Sequence, residues 1–399
     1  MSGKVIHTVN SRTLIRNNIR NYSMFIMLGL IMVIFGPLTD WRNFSDRNIT
    51  NIFFQYSYVL ILATGMVQCI IILGIDLSVG SVCAFVGALS AFVYNRGVGM
   101  PVTVLCALLL GFLVGVFQGW FIAYPKIPAF IVTLAGMMLF RGLTYIVTDV
   151  NPVSFADDGY SYFSTGTVDE LLHLEPTVFG RYPAAFVVVV VLLLVYWAAE
   201  FLGRQKKIAN NFEVTPGIFF VLKLIIISLL AIVLAERFAS YRGLPVIVIV
   251  LGITIGTFHF IMNNTVLGRY IYAVGGNARS AKLSGINSEF ITFIVFCIMG
   301  TLSGLAAVVS TGYMNSALPQ AGNMFEMDAI AACYIGGVSA SGGIGSIVGV
   351  IVGGLVMSAI NNGMFLMNLG THYQYVVKAL ILLLAVYYDV YTRRKAGLG

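Results

Sequence analysis

The feature that most constrains this sequence is a succession of long apolar runs separated by short polar connections. A helix needs roughly 20 apolar residues to cross a membrane, so the 399-residue chain has room for about twelve such helices. Charged residues make up only 10% of the chain, whereas a soluble domain carries about 25%. This composition excludes an ordinary soluble enzyme, a disordered chain and a basic nucleic-acid-binding protein. We therefore expect an all-α polytopic membrane protein.

The boundaries of the apolar runs predict the individual spans. The two short segments 326–337 and 344–360 either cross separately or form a re-entrant hairpin, so the expected number of transmembrane helices is about 10–12. Residues 1–399 are expected to form a single transmembrane domain. Charged residues, Pro and Gly delimit the predicted spans at 22–37, 52–73, 80–94, 100–122, 128–147, 184–202, 217–235, 245–262, 289–311, 326–337, 344–360 and 372–391.

The distribution of Lys and Arg predicts the topology, because these residues collect on the cytoplasmic side of membrane proteins. With both termini in the cytoplasm, fourteen of the 23 Lys and Arg residues fall on cytoplasmic segments, six on outer segments and three within spans. The polar segment 148–183 is then an extracytoplasmic loop, and segment 263–288 is cytoplasmic. Both are too short for a catalytic domain.

Glycines are frequent, 42 in all, and some recur at every fourth position. Gly111, Gly115 and Gly119 form one stripe, and the glycines of 345–353 form a second. Small residues at this spacing let helix backbones approach closely in lipid. The stripes predict either packing within the chain or a seam between two copies of it.

Two apolar stretches are interrupted by Gly and Ser in a similar manner, at 74–81 (GIDLSVGS) and at 338–346 (VSASGGIGS). A nucleotide-binding P-loop requires G-x4-G-K-[ST], and no Lys or Arg occurs between Lys282 and Lys378, so the second segment is not a nucleotide site. Backbone broken at membrane depth is tolerated only where it is buried or lines a wet cavity. Both segments are therefore candidates to line or gate a permeation path.

Polar side chains within the spans and at these interruptions are candidates for the path, because polar groups inside a membrane are costly and often functional. For Asp76 the alternative is a cap on the helix that begins near Ser78, and for the uncharged residues it is hydrogen bonding between helices. We expect no catalytic residue, no metal site and no cofactor. The candidate path residues are Asp76, Ser78, Gln118, Thr133, Ser341, Asn361 and Asn362.

Four further charged residues lie within apolar segments. Glu326 and Asp328 open a predicted helix and are expected to cap it and to interact with its dipole. Arg141 lies in the middle of a span, where it is expected either to pair with an acid or to snorkel. Lys378 lies two turns into the last span, and its long side chain favours snorkelling to the interface.

Segment 263–288 contains the most specific local pattern. A Gly-Gly-Asn-Ala sequence begins a short amphipathic stretch, Ala278–Leu283, and Gly285 ends it as a C′ glycine. Long ordered loops are usually functional, so this stretch is a candidate docking helix, with a plain surface loop as the alternative. The candidate docking residues are Gly275, Gly276, Asn277, Ala278, Arg279, Ala281, Lys282, Leu283 and Gly285.

A set of short motifs lies in order along the chain: GIDLSVGS at 74–81, IPAFIVTLAG at 127–136, AVGGN at 273–277 with LSG at 283–285, MDAIAA at 327–332, GGIGS at 342–346, NNGM at 361–364 and DVY at 389–391. Together they resemble the permease subunits of bacterial ABC importers for monosaccharides, over nearly the whole chain and least over 148–240. The chain length resembles the xylose and multiple-monosaccharide members more than the ribose-type permeases. Ala340, Ser341 and the Asp-Val-Tyr tail lean toward the multiple-monosaccharide type.

The resemblance implies a machine of several subunits in the bacterial inner membrane. Two permease copies, as a homodimer, would form the pore, ATPase subunits would lie on the cytoplasmic face, and a periplasmic or lipid-anchored binding protein would deliver the sugar. Segment 275–285 corresponds to the family's cytoplasmic coupling loop, whose helix would take up the motion of the ATPase. The implied cargo is a monosaccharide of the xylose, arabinose, galactose or glucose type, and no nucleic acid is expected as a partner.

Two other functions compete with this interpretation. An ion-coupled secondary transporter of a sugar or nucleoside needs a coupling site near mid-membrane, and Asp76 is the candidate for it. A membrane-embedded enzyme needs a motif such as HExxH, paired inward carboxylates or a Ser/Lys dyad. The sequence contains no such pattern, so we expect no enzymatic activity.

Overall fold

The computed structural model describes residues 11–177, 180–210 and 212–395, and this part of the chain is almost entirely helical. It contains fifteen α-helices, a 3-10 turn at Arg42–Phe44, and the short strands β1 (Val153–Ser154) and β2 (Ser316–Ala317). The predicted all-α class is therefore confirmed. The helices are α1 Ser11–Leu38, α2 Asp46–Ile71, α3 Val79–Asn95, α4 Met100–Ala123, α5 Ala129–Thr148, α6 Gly159–Thr165, α7 Val168–Leu171, α8 Ala184–Ala209, α9 Gly217–Ala239, α10 Val246–Asn264, α11 Val266–Leu283, α12 Ser288–Tyr313, α13 Phe325–Ile335, α14 Ile347–Leu366 and α15 Thr371–Lys395.

Eight of the described helices, α2, α4, α5, α8, α9, α10, α12 and α14, are long and apolar enough to cross a membrane. Shorter apolar helices occupy Met24–Leu38, Val79–Asn95 and Thr371–Tyr387. The two segments whose crossing the sequence leaves open behave differently. From residue 347 onward, segment 344–360 belongs to the long helix α14. Segment 326–337 lies largely in α13, Phe325–Ile335, whose 11 residues extend for only about 16 Å. Because the hydrocarbon layer is about 30 Å thick, α13 alone is a half-length helix.

The chain divides into two compact units. Of the described residues, the larger unit contains 24–44, 51–166 and 246–395, and the smaller contains 11–23, 45–50 and 167–245. Every predicted path residue and the predicted docking segment lie in the larger unit.

Within the larger unit, α12 packs against α3 and α4, and α14 packs against α13. A methyl group added at Gly111 would lie 2.3 Å from the carbonyl oxygen of Gly300. A methyl group added at Gly353 would lie 2.1 Å from that of Ala332. These helix backbones are in direct contact, so both glycine stripes serve packing within the chain.

The predicted outer segment 148–183 is ordered over its described part and belongs to both units. In the larger unit, β1 pairs antiparallel with β2, with Val153 opposite Ala317, and α6 packs against α12. The end of α3 joins the same region, because Asn95 donates from Nδ2 to the carbonyl of Ser154 at 2.8 Å. The chain that leads from α12 toward α13 is thereby tied to this segment.

The smaller unit is organised around a buried carboxylate. The oxygens of Asp169 accept hydrogen bonds from the backbone N–H groups of Ala184 (3.0 Å) and Leu244 (2.9 Å). Helices α8 and α9 pack side by side, and Lys223, one of the charged residues within a predicted span, pairs with Glu200 across them at 2.6 Å.

Candidate translocation and coupling sites

The connection between α2 and α3, residues 72–78, is non-helical, as the sequence predicts, and we call it the first break. Asp76 Oδ1 accepts hydrogen bonds from the Ser78 backbone N–H (2.8 Å) and from Ser78 Oγ (2.6 Å). Gln118 of α4 donates from Nε2 to Ser78 Oγ at 2.8 Å, and Thr133 of α5 donates to the carbonyl of Ile75 at 3.1 Å. These four predicted path residues therefore form one buried network that holds the first break.

The network also tests the alternative prediction for Asp76, which is that this residue caps the helix beginning near Ser78. Helix α3 begins at Val79, and its N-cap residue, Ser78, makes no cap hydrogen bond with its own side chain. Asp76 instead takes up the Ser78 N–H just ahead of the helix. A carboxylate at this position is stabilised by the partial positive charge of the helix N-terminus. Asp76 thus holds the turn that precedes α3, but it is not the N-cap residue, which is Ser78.

The start of α3 meets the segment that leads into α13. A methyl group added at Gly80 would lie 2.0 Å from the carbonyl oxygen of Gly322 and 2.6 Å from Glu326 Oε2. Gly322 has a φ of +76°, which favours glycine. Two helices that begin inside the larger unit therefore approach each other through their N-terminal ends, as broken helices do at the substrate sites of many transporters.

Arg141, in the middle of α5, holds the segment before α13. Its Nη1 donates to the carbonyl oxygens of Pro319 (3.1 Å) and Ala321 (2.6 Å). The sequence predicts an acidic partner or a snorkelling side chain, but these hydrogen bonds go to backbone carbonyls. That outcome was not foreseeable from residue types, because every residue carries a carbonyl oxygen.

Lys378 does not snorkel, contrary to the prediction. Its ammonium lies 2.9 Å from Asp328 Oδ2 on α13, and Asn361 of α14 donates to Asp328 Oδ1 at 3.4 Å. Asp328 is buried, and a buried charge requires a counter-ion, so the Lys378 ammonium is held at this carboxylate. This cluster ties α13 to α14 and α15. A cavity of about 420 Å³, lined by Met324, Met327 and residues of α15, lies beside Lys378.

The connection between α13 and α14, residues 336–346, is held by backbone contacts, and we call it the glycine turn. Gly342 and Gly343 have φ values of +76° and +70°, and the Gly343 N–H donates to the carbonyl of Ile71 at 2.9 Å. Ser341 is exposed on this turn. The predicted path residues therefore separate: four meet at the first break, Asn361 binds Asp328, and Ser341 lies at the glycine turn. Asn362 is buried in α14.

The predicted docking segment is more helical than the sequence suggests. Helix α11 already begins at Val266 and is interrupted at Asn277, whose φ of −162° and ψ of 100° are extended. Asn277 Oδ1 accepts a hydrogen bond from the Ser280 N–H at 2.9 Å, so Asn277 caps the second part of the helix. The predicted short helix, Ala278–Leu283, is present as this second part.

The second part of α11 ends as predicted, at a glycine with positive φ. Gly285 has a φ of +85°. Its N–H donates to the carbonyl of Lys282 at 3.0 Å, and the Ile286 N–H donates to that of Ala281 at 3.0 Å. This pair of hydrogen bonds defines a Schellman motif. The motif turns the chain sharply and leaves Leu283, the last helical residue, 85% exposed.

The candidate docking residues divide into an exposed group and a buried pair. Lys282 is exposed but bound, since its Nζ lies 2.6 Å from Glu289 Oε1. Gly275 and Ala281 are buried and anchor the helix to the larger unit. The exposed residues are Gly276, Asn277, Ala278, Arg279, Lys282, Leu283 and Gly285.

The chain is similar to known proteins along nearly its whole length. The model of a family described as "branched-chain amino acid transport system / permease component" matches residues 48–386. The xylose transport system permease protein of Escherichia coli strain K12 is 36% identical over 385 residues, which cover 94% of each chain. That of Haemophilus influenzae is 35% identical over 379 residues, 95% of this chain and 98% of the relative. The ribose import permease protein of H. influenzae is 33% identical over 378 residues, 94% of each chain. No solved structure matches the chain.

Proposed function

This chain belongs to the family of transport-system permease components whose model it matches, and we propose that its cargo is a pentose. It is a multi-pass permease of the bacterial inner membrane and a subunit of an ABC monosaccharide importer, and its relatives are transport permeases rather than enzymes. Two of the relatives are named for xylose and one for ribose. Both sugars are five-carbon aldoses, which supports the pentose class.

The observation that carries the proposed path is the approach of α3 and α13 beside the buried network of Asp76, Ser78, Gln118 and Thr133. A sugar crossing the membrane exchanges its hydration for protein hydrogen bonds. The side chains of this network are bonded to one another and to the backbone in this conformation, so we propose that they become available to a sugar only when the two helices separate. In this conformation the Gly80–Gly322 contact leaves no space for a sugar. The path therefore opens when α13 withdraws from α3, and alternating access consists of making and breaking this contact.

The exposed end of α11 is the proposed contact with the ATPase. Leu283 presents an apolar side chain to solvent at the tip of the helix, and Arg279 adds an exposed positive charge. We propose this contact because the pair lies on the short capped helix of the segment that resembles the family's cytoplasmic coupling loop. The buried residues Gly275 and Ala281 fix the other side of the helix, so a movement imposed at Leu283 is carried into the larger unit.

An ABC permease of this family works with an ATPase and with a sugar-binding protein. We assign the ATPase to the side of α11 and the binding protein to the side of segment 148–183. Both termini then lie in the cytoplasm, in agreement with the distribution of Lys and Arg. The functional assembly contains a second copy of this permease as a homodimer, and residues 1–399 act as one transmembrane domain.

Uptake by whole cells tests the substrate class. Cells that lack this gene are compared with cells that carry it, using labelled xylose, ribose, arabinose, glucose and galactose in separate assays. The proposal predicts that the gene restores uptake of at least one pentose and that unlabelled glucose and galactose do not compete. Restored uptake of hexoses alone, or strong competition by hexoses, would contradict the pentose assignment and favour the multiple-monosaccharide type.

The ion-coupled alternative loses its support from these findings. Family membership connects the chain to ATP-driven systems, and Asp76, the candidate coupling carboxylate, is already engaged by Ser78 at the start of α3.

A further inference from the structure

Helix α11 makes close contact with the glycine turn and with the end of α2. A methyl group added at Gly275 would lie 2.1 Å from the carbonyl oxygen of Ile71 and 3.0 Å from the backbone nitrogen of Gly343. The Gly343 N–H in turn donates to the same Ile71 carbonyl. Three chain segments therefore meet through backbone atoms, with no side chain between them to absorb a displacement.

One side chain of α11 also reaches into the glycine turn. The hydroxyl of Tyr272 donates to the carbonyl oxygen of Gly345 at 2.8 Å. A tyrosine hydroxyl is protonated near neutral pH and can donate this bond, and burial raises the pKa of Tyr272 further above its ordinary value. Gly345 lies two residues before the start of α14, so this bond fixes α11 to the point from which that helix departs.

The glycine turn is tightly connected to α13 and α14. A methyl group added at Gly336 would lie 2.6 Å from the carbonyl oxygen of Gly349, so the two helices leave the turn in direct backbone contact. A displacement of the turn therefore moves α13 and α14 together. The opposite end of α13 follows the segment at Gly322, which touches Gly80 of α3.

We propose that Tyr272 is a positioning residue for transport, whose hydrogen bond to Gly345 transmits the movement of the ATPase-contacting end of α11 to the glycine turn and α13. The proposal rests on the proposed function, in which Leu283 and its neighbours contact the ATPase. When α11 moves toward the glycine turn, the close contact at Gly275 displaces the turn. When α11 moves away, the hydrogen bond from Tyr272 to Gly345 draws the turn with it. Without that bond, α11 still moves with the ATPase, but the turn does not follow completely.

The alternative is that the Tyr272 hydroxyl only stabilises the fold. That role predicts a lower melting temperature and a smaller amount of active transporter, but it predicts an unchanged amount of sugar imported per ATP hydrolysed. The ratio of sugar to ATP therefore separates the two roles, because it does not depend on how many transporters are folded.

The experiment uses the complete transporter, with ATPase and binding protein, in proteoliposomes. Tyr272→Phe removes the hydroxyl and keeps the ring. Tyr270→Phe is the matched control, since Tyr270 lies on the same helix, is 39% exposed and has no hydroxyl partner among the described residues. Labelled xylose and ribose uptake and ATP hydrolysis are measured in the same preparations, together with the melting temperature.

For Tyr272→Phe, we expect ATP hydrolysis stimulated by the binding protein to stay within about twofold of wild type, while sugar per ATP falls about fivefold, which corresponds to one neutral hydrogen bond. Tyr270→Phe should match wild type in both. An unchanged ratio in Tyr272→Phe, or an equal fall in Tyr270→Phe, overturns the proposal. A wild-type transporter that imports neither sugar when supplied with ATP would instead contradict the proposed function itself.

Discussion

The first break and the glycine turn interrupt the membrane helices in different ways. At the first break, side chains of α4, of α5 and of the break itself hold the backbone: Asp76 and Gln118 bind Ser78, and Thr133 binds Ile75. At the glycine turn, most contacts join backbone to backbone, and the hydrogen bond from Tyr272 to Gly345 is added to them. Glycines with positive φ, or with no room for a methyl group, make the backbone contacts possible.

This difference determines how each break tolerates change. A side-chain network loses stability when a polar group is removed, one hydrogen bond at a time. A backbone contact has no side chain to remove, but it cannot accept an added methyl group without moving the chain. The first break should therefore be sensitive to truncation and the glycine turn to enlargement.

The largest expected effect is that of enlargement beside the glycine turn. In Gly275→Ala, the new methyl group would lie 2.1 Å from the carbonyl oxygen of Ile71. We therefore expect the free energy of unfolding to fall by at least about 3 kcal/mol. Gly276→Ala is the matched control, because nothing lies within 4 Å of its added methyl group. Thermal unfolding in detergent measures both, and equal melting temperatures for the two variants would contradict the backbone contact.

A smaller effect is expected from truncation at the first break. Asp76→Ala removes the acceptor for the Ser78 N–H and Oγ, which should cost about 2 kcal/mol of unfolding free energy. Asp76→Asn keeps an acceptor oxygen in the same place and should cost less than half as much. Chemical denaturation in detergent compares the two variants. If Asn costs as much as Ala, then the charge of Asp76 and not its hydrogen bonds holds the break.

The smallest effects compare single polar groups at the two breaks. Thr133→Val removes the hydrogen bond to Ile75 and should cost about 1 kcal/mol of unfolding free energy. Ser341→Ala changes an exposed side chain of the glycine turn and should stay within about 0.5 kcal/mol of wild type. The same denaturation assay serves both, with sugar uptake measured in parallel. If Ser341→Ala loses more uptake than Thr133→Val does, then Ser341 lines the translocation path and the proposed path at the first break is contradicted.

The spans were largely predictable from the sequence, because length and apolarity alone determine where a helix can cross a membrane. The predicted segment 100–122 corresponds to α4, Met100–Ala123, and 289–311 corresponds to α12, Ser288–Tyr313. The sequence leaves the crossing of 326–337 open, and the half-length of α13 follows from its 11 residues, which are fewer than the roughly 20 that a full crossing needs. The helical start of α11 was missed because its residues 266–276 follow a predicted span and mix polar with apolar side chains.

Within the candidate sites, the sequence predicts contacts between residues that are close along the chain, but not contacts between residues that are far apart. Asp76 and Ser78 lie two positions apart, and their capping pattern is local. The ion pair of Asp328 with Lys378 joins residues 50 positions apart, and the hydrogen bond from Tyr272 joins residues 73 positions apart. Such contacts depend on how the helices pack, which residue types alone do not specify.

The energy source of uptake tests the central claim, that this chain is the permease of an ATP-driven sugar importer. Uptake of labelled xylose and ribose is measured in cells that carry the gene, once with ATP depleted and once with an uncoupler while ATP is held constant. For an ATP-driven importer, we expect uptake of the transported pentose to stop on ATP depletion and to continue with the uncoupler. Uptake that survives ATP depletion but stops with the uncoupler would identify an ion-coupled carrier instead.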